Sequence, residues 1–336
     1  MTGHPRVISY AAAIREAFEQ LLASDPRVFV IGQGLWSPWY VGSSMTDVDK
    51  KFGRERVIDS PVSENATTGA AIGAALAGMR PIVVHPRMDF MLLAVDPIVN
   101  QASNWSYMFA GKKNVPVVFR PIINRGGEQA AQHSQALQAM FMHVPGLKLV
   151  MPATPSDAKG LLIAAVNDGN PVMYIDDRWL YGEQGPVPEE MYSTPIGEAA
   201  IRRAGRDVTI VASSYLVPQA LAAAEELSTC GVSAEIVDLR SIKPWDKPLV
   251  YESVRRTGRL VVADGGWRTC GVAAEISASV AEDAFDALRA PIVRVALPDA
   301  PAPMSRPLEQ AYYVNAAHIV DAVARLLGVD AKLARA

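Results

Sequence analysis

The chain has 336 residues, 50% of them hydrophobic and 20% charged, with a formal net charge of −3. That length suffices for two domains and a large apolar core, and so even a charge balance gives no electrostatic reason for nucleic acid or an anionic membrane as a partner. Apolar runs are interrupted before they could span a bilayer (residues 79–99 contain Arg80, His85, Arg87, Asp89 and Asp96), and no basic-then-apolar leader opens the chain. Its two cysteines, Cys230 and Cys270, lack metal-ligand spacing and read as unpaired thiols, so the sequence predicts a soluble intracellular, cytoplasmic α/β protein.

Residues 9–24 have the apolar spacing of an amphipathic helix, with Ile14, Phe18, Leu21 and Leu22 on one stripe. Asp25-Pro26 breaks it, and Val28 to Ile31 reads as a strand buried in a parallel sheet. Gly32-Gln-Gly34 begins like a dinucleotide fingerprint, but Ser37 stands at the third glycine's place and Pro38 opposes the helix that should follow. The aromatic loop Trp36, Trp39, Tyr40 reads as interface or core packing.

Residues 59–78 form the stretch around which the rest is organised. A strand ends at Ile58, Pro61 turns the chain, and Glu64 precedes a helix of small apolar residues that stops at Gly78. A carboxylate there is ordinarily a partner of the helix dipole, worth about 0.3–1 kcal/mol. The alternative is a functional acid, because residues 66–79 carry no charge and Gly69 and Gly73 would admit a second helix backbone to backbone.

Strand 81–84 leads into His85-Pro-Arg-Met-Asp-Phe90, and a helix is expected over about 93–109. Strand 115–119 is followed by the loop 124–133, a short helix with Leu137, Met140 and Phe141, and strand 147–151. Ser156 is the expected N-cap of a helix over 157–166, with strand 172–175 after it. Strands alternating with helices mean a parallel sheet covered on both faces. Residues 181–195, rich in Pro, Gly and Glu, read as a linker between a domain over 1–180 and a second α/β domain over 196–336. That second domain has expected strands at 208–212, 234–238, 260–263 and 292–295, and helices at 217–227, 272–281 and 318–327. Gly265, Gly266 and Gly271 invite a phosphate-loop reading, but Val272-Ala273 replaces the required Lys-Ser/Thr, so a structural turn is expected.

No nucleophile elbow, HExxH or paired-cysteine site occurs. The residues alone support an α/β enzyme subunit of open reaction, with Glu64 and His133 as its candidate groups. A series of motifs in register goes further. Ser-Glu64 with its helix ending Ala-Leu-Ala-Gly78, Met-Asp-Phe90, Asp96-Pro-Ile-Val-Asn-Gln101, Gln-His133-Ser-Gln135, Pro-Gly-Leu-Lys148 and Thr154-Pro-x-Asp-Ala-Lys-Gly-Leu161 closely resemble the beta-type subunit of thiamine-diphosphate-dependent 2-oxo acid dehydrogenases. Val237-Asp-Leu-Arg240, Thr257-Gly-Arg-Leu260 and Ala274-Glu-Ile276 are similar to the transketolase C-terminal domain.

The resemblance implies a transketolase-like pyrimidine-binding domain followed by a transketolase C-terminal domain, with Glu64 activating thiamine diphosphate through its aminopyrimidine. It makes Phe90 the aromatic packed on that ring and His133 the imidazole facing substrate and acyl acceptor, where a side chain that titrates near neutrality suits proton transfer. The rival role for His133 is to cap a helix beginning at Ser134. Asp168 and Asn170 match the turn at which the family binds a monovalent cation such as K+. The family's diphosphate-and-magnesium motif is missing, since Asp264-Gly-Gly lacks both the leading glycine and the later asparagine. Mg2+ should therefore be held by a separate alpha-type subunit, in a heterotetramer with a second copy of this chain and with a lipoyl-domain or carrier protein as acceptor.

Three departures from the family pattern stand out: Gln33 and Gly34 where acidic residues are common, Pro86 and Arg87 where a glutamine precedes the Met-Asp-Phe segment, and Glu128 with two alanines before His133. The first and third are expected to concern subunit packing. Arg87 is either a surface or interface ion pair or a cation for a substrate carboxylate or phosphate. Two other functions remain open: ketol transfer from a ketose phosphate, and a non-catalytic scaffold subunit.

Overall fold

The computed structural model describes residues 6–330 and divides into two compact units, one closing at Ile196 and the next opening at Gly197. In the first unit, β1 (Val7–Ser9) leads into α1 (Tyr10–Ser24), whose N-terminus is capped by Ser9 Oγ accepting from the Ala12 amide. Its expected stripe of Ile14, Phe18, Leu21 and Leu22 is buried. The elements that follow are β2 (Val28–Gly32), α2 (Val48–Phe52), β3 (Val57–Asp59), α3 (Glu64–Leu76) and β4 (Arg80–His85). After them come α4 (Ser103–Met108), β5 (Val118–Ile123), α5 (Gln138–Met142), β6 (Lys148–Val150), α6 (Pro155–Asn167), β7 (Val172–Tyr174), β8 (Asp176–Asp177) and β9 (Gln184–Pro186).

The sheet of this unit runs β6-β7-β5-β4-β2-β3 with every neighbouring pair parallel, and β8 continues alongside β5. Val28, Val30, Ile82, Val83, Phe119 and Met173 are fully buried within it, as expected of strands covered on both faces. All these strands point the same way, so the loops leaving their C-terminal ends share one edge, where α/β sheets build their sites.

Four expectations are corrected here. The single helix over 93–109 is instead a tight turn at Phe90–Ala94, a wide turn at Pro97–Ala102 and then α4, with Ser103 Oγ donating five residues back to the Ile98 carbonyl. The strand at 115–119 begins only at Val118, after Pro116, which offers no amide to a ladder. α6 is capped by Thr154, whose hydroxyl accepts from the Asp157 amide at 3.1 Å, with Pro155 at the first helical position rather than Ser156 as cap. The segment read as a linker is part of the first unit: β9 pairs antiparallel with β1, and the buried Lys159 ammonium donates to the carbonyls of Pro188, Glu189 and Glu190.

The second unit has strand order 200–203, 234–238, 208–212, 260–267, 293–297; the first pair is antiparallel and the rest are parallel. It also has a helix absent from the sequence reading, Lys247–Thr257, although Asp246 as N-cap, Pro248 and Gly258 (φ +74°) bracket it by the usual rules. Asp264 Oδ1 accepts from the Gly266 amide and Oδ2 from the Ala273 amide, so the glycine-rich turn serves its own helix start. Both cysteines are free thiols. Among the described residues no helix is long and apolar enough to cross a membrane.

Candidate active site

The register of β2 with β3 sets Gly32 opposite Asp59, which delivers Gln33 and the turn before Glu64 to the same edge. Gly32 has to be glycine, since a Cβ there would lie 2.3 Å from the Val84 carbonyl oxygen. Asp59 Oδ1 accepts from the Gly34 amide at 2.7 Å and fixes the loop. Glu64 is only 5% exposed. Its Oε1 accepts from Gln33 Nε2 at 3.0 Å, and among the described residues nothing donates to Oε2. Among the described residues no backbone amide binds this carboxylate, so it does not cap α3. The face carrying Gly69 and Gly73 is open, with nothing among the described residues within 4 Å of a Cβ placed at either, so the expected helix-to-helix seam is not made among them.

After β4 the chain turns through residues 85–90. Met88 is buried and its sulfur accepts from the Leu137 amide, while Asp89 Oδ1 accepts from the Gln135 amide (3.1 Å) and from Gln135 Nε2 (2.9 Å). These bonds draw the loop after His133 against the turn, and the rings of Phe90 and His133 meet edge to face at 5.2 Å and 82°. Burial raises the Asp89 carboxyl above its ordinary range, with the Gln135 hydrogen bonds opposing. Asn65 Nδ2 donates to the Leu93 carbonyl and ties the start of α3 to the Phe90 turn. The helix proposed to begin at Ser134 starts only at Gln138.

Gly126, Gly127, Glu128 and Ala130 all have positive φ (+75°, +68°, +62° and +60°). The third departure therefore concerns the loop carrying His133, which holds left-handed geometry at two residues that have side chains, at about 1–2 kcal/mol each. Beneath the site, His85 Nε2 lies 3.4 Å from Thr68 Oγ1 of α3, and burial lowers the imidazole to about 4.

Arg87 is half-buried, donates to the Pro86 carbonyl and sits over the Tyr40 ring, its guanidinium carbon 5.9 Å from the ring centre. Burial lowers its pKa and the neighbouring Arg178 adds to this. Among the described residues Arg87 forms no ion pair within the chain. Sequence reasoning named Gln33 only as a departure ascribed to subunit packing and Asp89 only as a letter of the Met-Asp-Phe90 motif, giving neither a role in the site, and it passed over Arg178.

Asp168 and Asn170 lie elsewhere, between α6 and β7 and so at the opposite edge of the sheet. Asp168 Oδ2 accepts from Lys148 Nζ at 2.5 Å and Oδ1 from Asn170 Nδ2 at 3.3 Å. Among the described residues no group of three or more His, Cys, Asp or Glu is placed to hold a metal ion.

Residues 6–183 match the transketolase pyrimidine-binding domain and residues 197–319 the transketolase C-terminal domain. The chain is 45% identical to the acetoin:2,6-dichlorophenolindophenol oxidoreductase beta subunit of Cupriavidus necator, across 96% of this chain and 98% of that one. It is 42% identical to the pyruvate dehydrogenase E1 component beta subunit of Caenorhabditis elegans, across 94% and 92%. A solved split-gene transketolase, an inactive beta4 tetramer, shares the fold with a TM-score of 0.79 at 24% identity, covering 96% of this chain and 99% of that one. The chain belongs to the family of beta subunits of thiamine-diphosphate-dependent 2-oxo acid dehydrogenases, built from the transketolase pyrimidine-binding and C-terminal domains.

Proposed function

We propose that this chain is the beta-type subunit of a cytoplasmic heterotetramer that decarboxylates a 2-oxo acid and passes the acyl group to a lipoyl-type acceptor. The observation that carries the reading is Glu64, a buried carboxylate with one oxygen held by Gln33 and the other left for an incoming donor, on the sheet edge that also bears Phe90 and His133. This donor set fits an aminopyrimidine: an acid for the ring nitrogen and an aromatic face for the ring. Thiamine diphosphate supplies, when bound, an electron sink for the bond between the carbonyl carbon and the carboxylate that leaves.

Glu64 holds and polarises the pyrimidine, and in a site shielded from water that hydrogen bond is stronger than it would be in solvent. Gln33 keeps the carboxylate aimed. Phe90 offers the ring contact, and His133, oriented against it, moves a proton at the substrate oxygen or the acceptor sulfur. Arg87 takes an anionic group of the substrate. Mg2+ belongs to the alpha-type subunit, because Asp264 is engaged with its own turn. A K+ ion at the Asp168–Asn170 turn would be met by backbone carbonyls, the Asp168 carboxylate being taken by Lys148.

Reconstitution with the alpha-type partner tests the reading. Glu64→Gln should lower turnover at least about a hundredfold, as removal of a key electrostatic contact does, with the thermal midpoint kept. A scaffold subunit would leave turnover unchanged, and that result would overturn the proposal.

A further inference from the structure

Two arginines on the edge of the sheet that bears Glu64 make no direct ion pair among the described residues, although the Asp89 carboxylate acts on Arg87 from a distance. Arg87 leaves the end of β4, and Arg178 leaves the end of β8, which lies beside β5. The neighbouring Arg120 and Arg125 are paired with Asp176 and Asp177. Among the described residues Arg87 and Arg178 form no ion pair at all, yet they lie close enough for the charge of one to act on the other. Arg178 Nη2 donates to the Tyr40 carbonyl and the Arg87 guanidinium stands over the Tyr40 ring. The Nε–H of each is buried and has no acceptor. Buried guanidinium donors left without an acceptor, and like charges held close together without a direct ion pair, are costly arrangements that a bound anion would relieve.

We propose that Arg87 and Arg178, gathered around Tyr40, bind an anionic group of the substrate that is retained through the reaction, a distal carboxylate or phosphate. A planar fork of donors on each residue suits either group. The carboxylate expelled as CO2 is a poor candidate. Its charge disperses as the bond breaks, so two cations upon it would stabilise the ground state more than the transition state. This inference rests on the proposed decarboxylation, and it gives the substrate class as 2-oxo acids with a second charged group.

The test uses the reconstituted complex with dichlorophenolindophenol as electron acceptor, kept the same for every substrate so that the acceptor's own charge cancels in the comparison. The substrates are 2-oxobutyrate, 2-oxoglutarate, 3-phosphohydroxypyruvate and xylulose 5-phosphate. One of the two oxo acids with a second anionic group should exceed 2-oxobutyrate at least about tenfold in kcat/KM, and which of them does so separates carboxylate from phosphate. Arg178→Gln and Arg87→Gln should each lower kcat/KM at least about tenfold more for that substrate than for 2-oxobutyrate, chiefly through KM, with partial rescue by Arg178→Lys. Inorganic phosphate or malonate should raise the thermal midpoint of the full chain, and this rise should be smaller in Arg87→Gln, which leaves the Arg178–Tyr40 bond untouched. Equal losses on all substrates, or no preference for a charged one, would overturn the anion site while leaving decarboxylation standing. Turnover of xylulose 5-phosphate alone, lost in the arginine variants, would overturn the oxo-acid reading and keep the site.

Discussion

Gln33 Nε2 donates to Glu64 Oε1 at 3.0 Å, so the first departure from the family pattern falls on the candidate cofactor-activating acid. An amide at this place donates a hydrogen bond whatever the pH. An acid there would have to carry a proton to do the same, because two adjacent carboxylates resist full ionisation. Gln33→Glu should therefore work best where the pair holds one shared proton and lose activity as the pH rises and that proton leaves, earlier than the parent protein. The alkaline limb of the kcat/KM profile should move to lower pH, and an unmoved limb would mean that the two side chains are not coupled in the working complex.

Asp89 fastens the loop of His133 to the turn of Phe90 through Gln135. Asp89→Ala removes the acceptor of both bonds and frees a loop already strained at Glu128 and Ala130. Turnover should fall about tenfold or more, since small misplacements of a proton-transfer group are expensive. Cofactor affinity in the reconstituted complex, measured by titration, should fall much less, because Glu64 and Gln33 are untouched.

What the sequence made legible followed the period of its apolar residues and the motifs in register. The parallel strands, α1 and the helix behind Glu64 are all of this kind. The 93–109 segment was not legible, because Pro97 withdraws an amide inside an otherwise helical pattern and the chain answers with turns of two pitches. Residues 181–195 looked like a linker because their anchoring is done by the ammonium of Lys159, a distant residue that no local pattern reveals. In the site, Glu64 and His133 stood out by type, whereas the Gln33 bond depends on the pairing of Gly32 with Asp59 and the Arg87–Arg178 neighbourhood on β5 lying between β4 and β8.

His85 should make stability depend on pH. Burial lowers its imidazole from 6.5 to about 4, so between those values the unfolded chain binds a proton that the folded chain refuses. This contribution is complete above about pH 6.5, declines as the pH falls through the window and is flat below about 4, with a ceiling of about 3 kcal/mol. The carboxylates of Glu16 and Asp25, lowered in the fold by their basic partners, lose their contributions only as the pH falls below their unfolded values of 4.5 and 3.8, beneath the pH 5 of the comparison. Urea midpoints at pH 7.5 and 5 should therefore differ in the parent protein, and the difference should shrink markedly in His85→Gln.

Arg120 and Asp176 are both 0% exposed, and the guanidinium binds the carboxylate through Nε at 3.1 Å and Nη2 at 2.8 Å. Ser44 accepts a further bond from Nη2, and Tyr181 donates its hydroxyl to Asp176 Oδ2. The pair joins β5 to β8 next to the strand end that carries Arg178. Removing one partner strands a charge in an apolar interior, while removing both removes the charge problem as well. Arg120→Met should cost about 3–5 kcal/mol in urea unfolding, and Asp176→Leu a similar amount. The double variant should lose clearly less than the sum of the two, through a coupling energy within the range of about 0.5–3 kcal/mol seen for contacting residues. Additive losses would mean that the two side chains stabilise the sheet edge independently, and would sever the ion pair from the placement of Arg178.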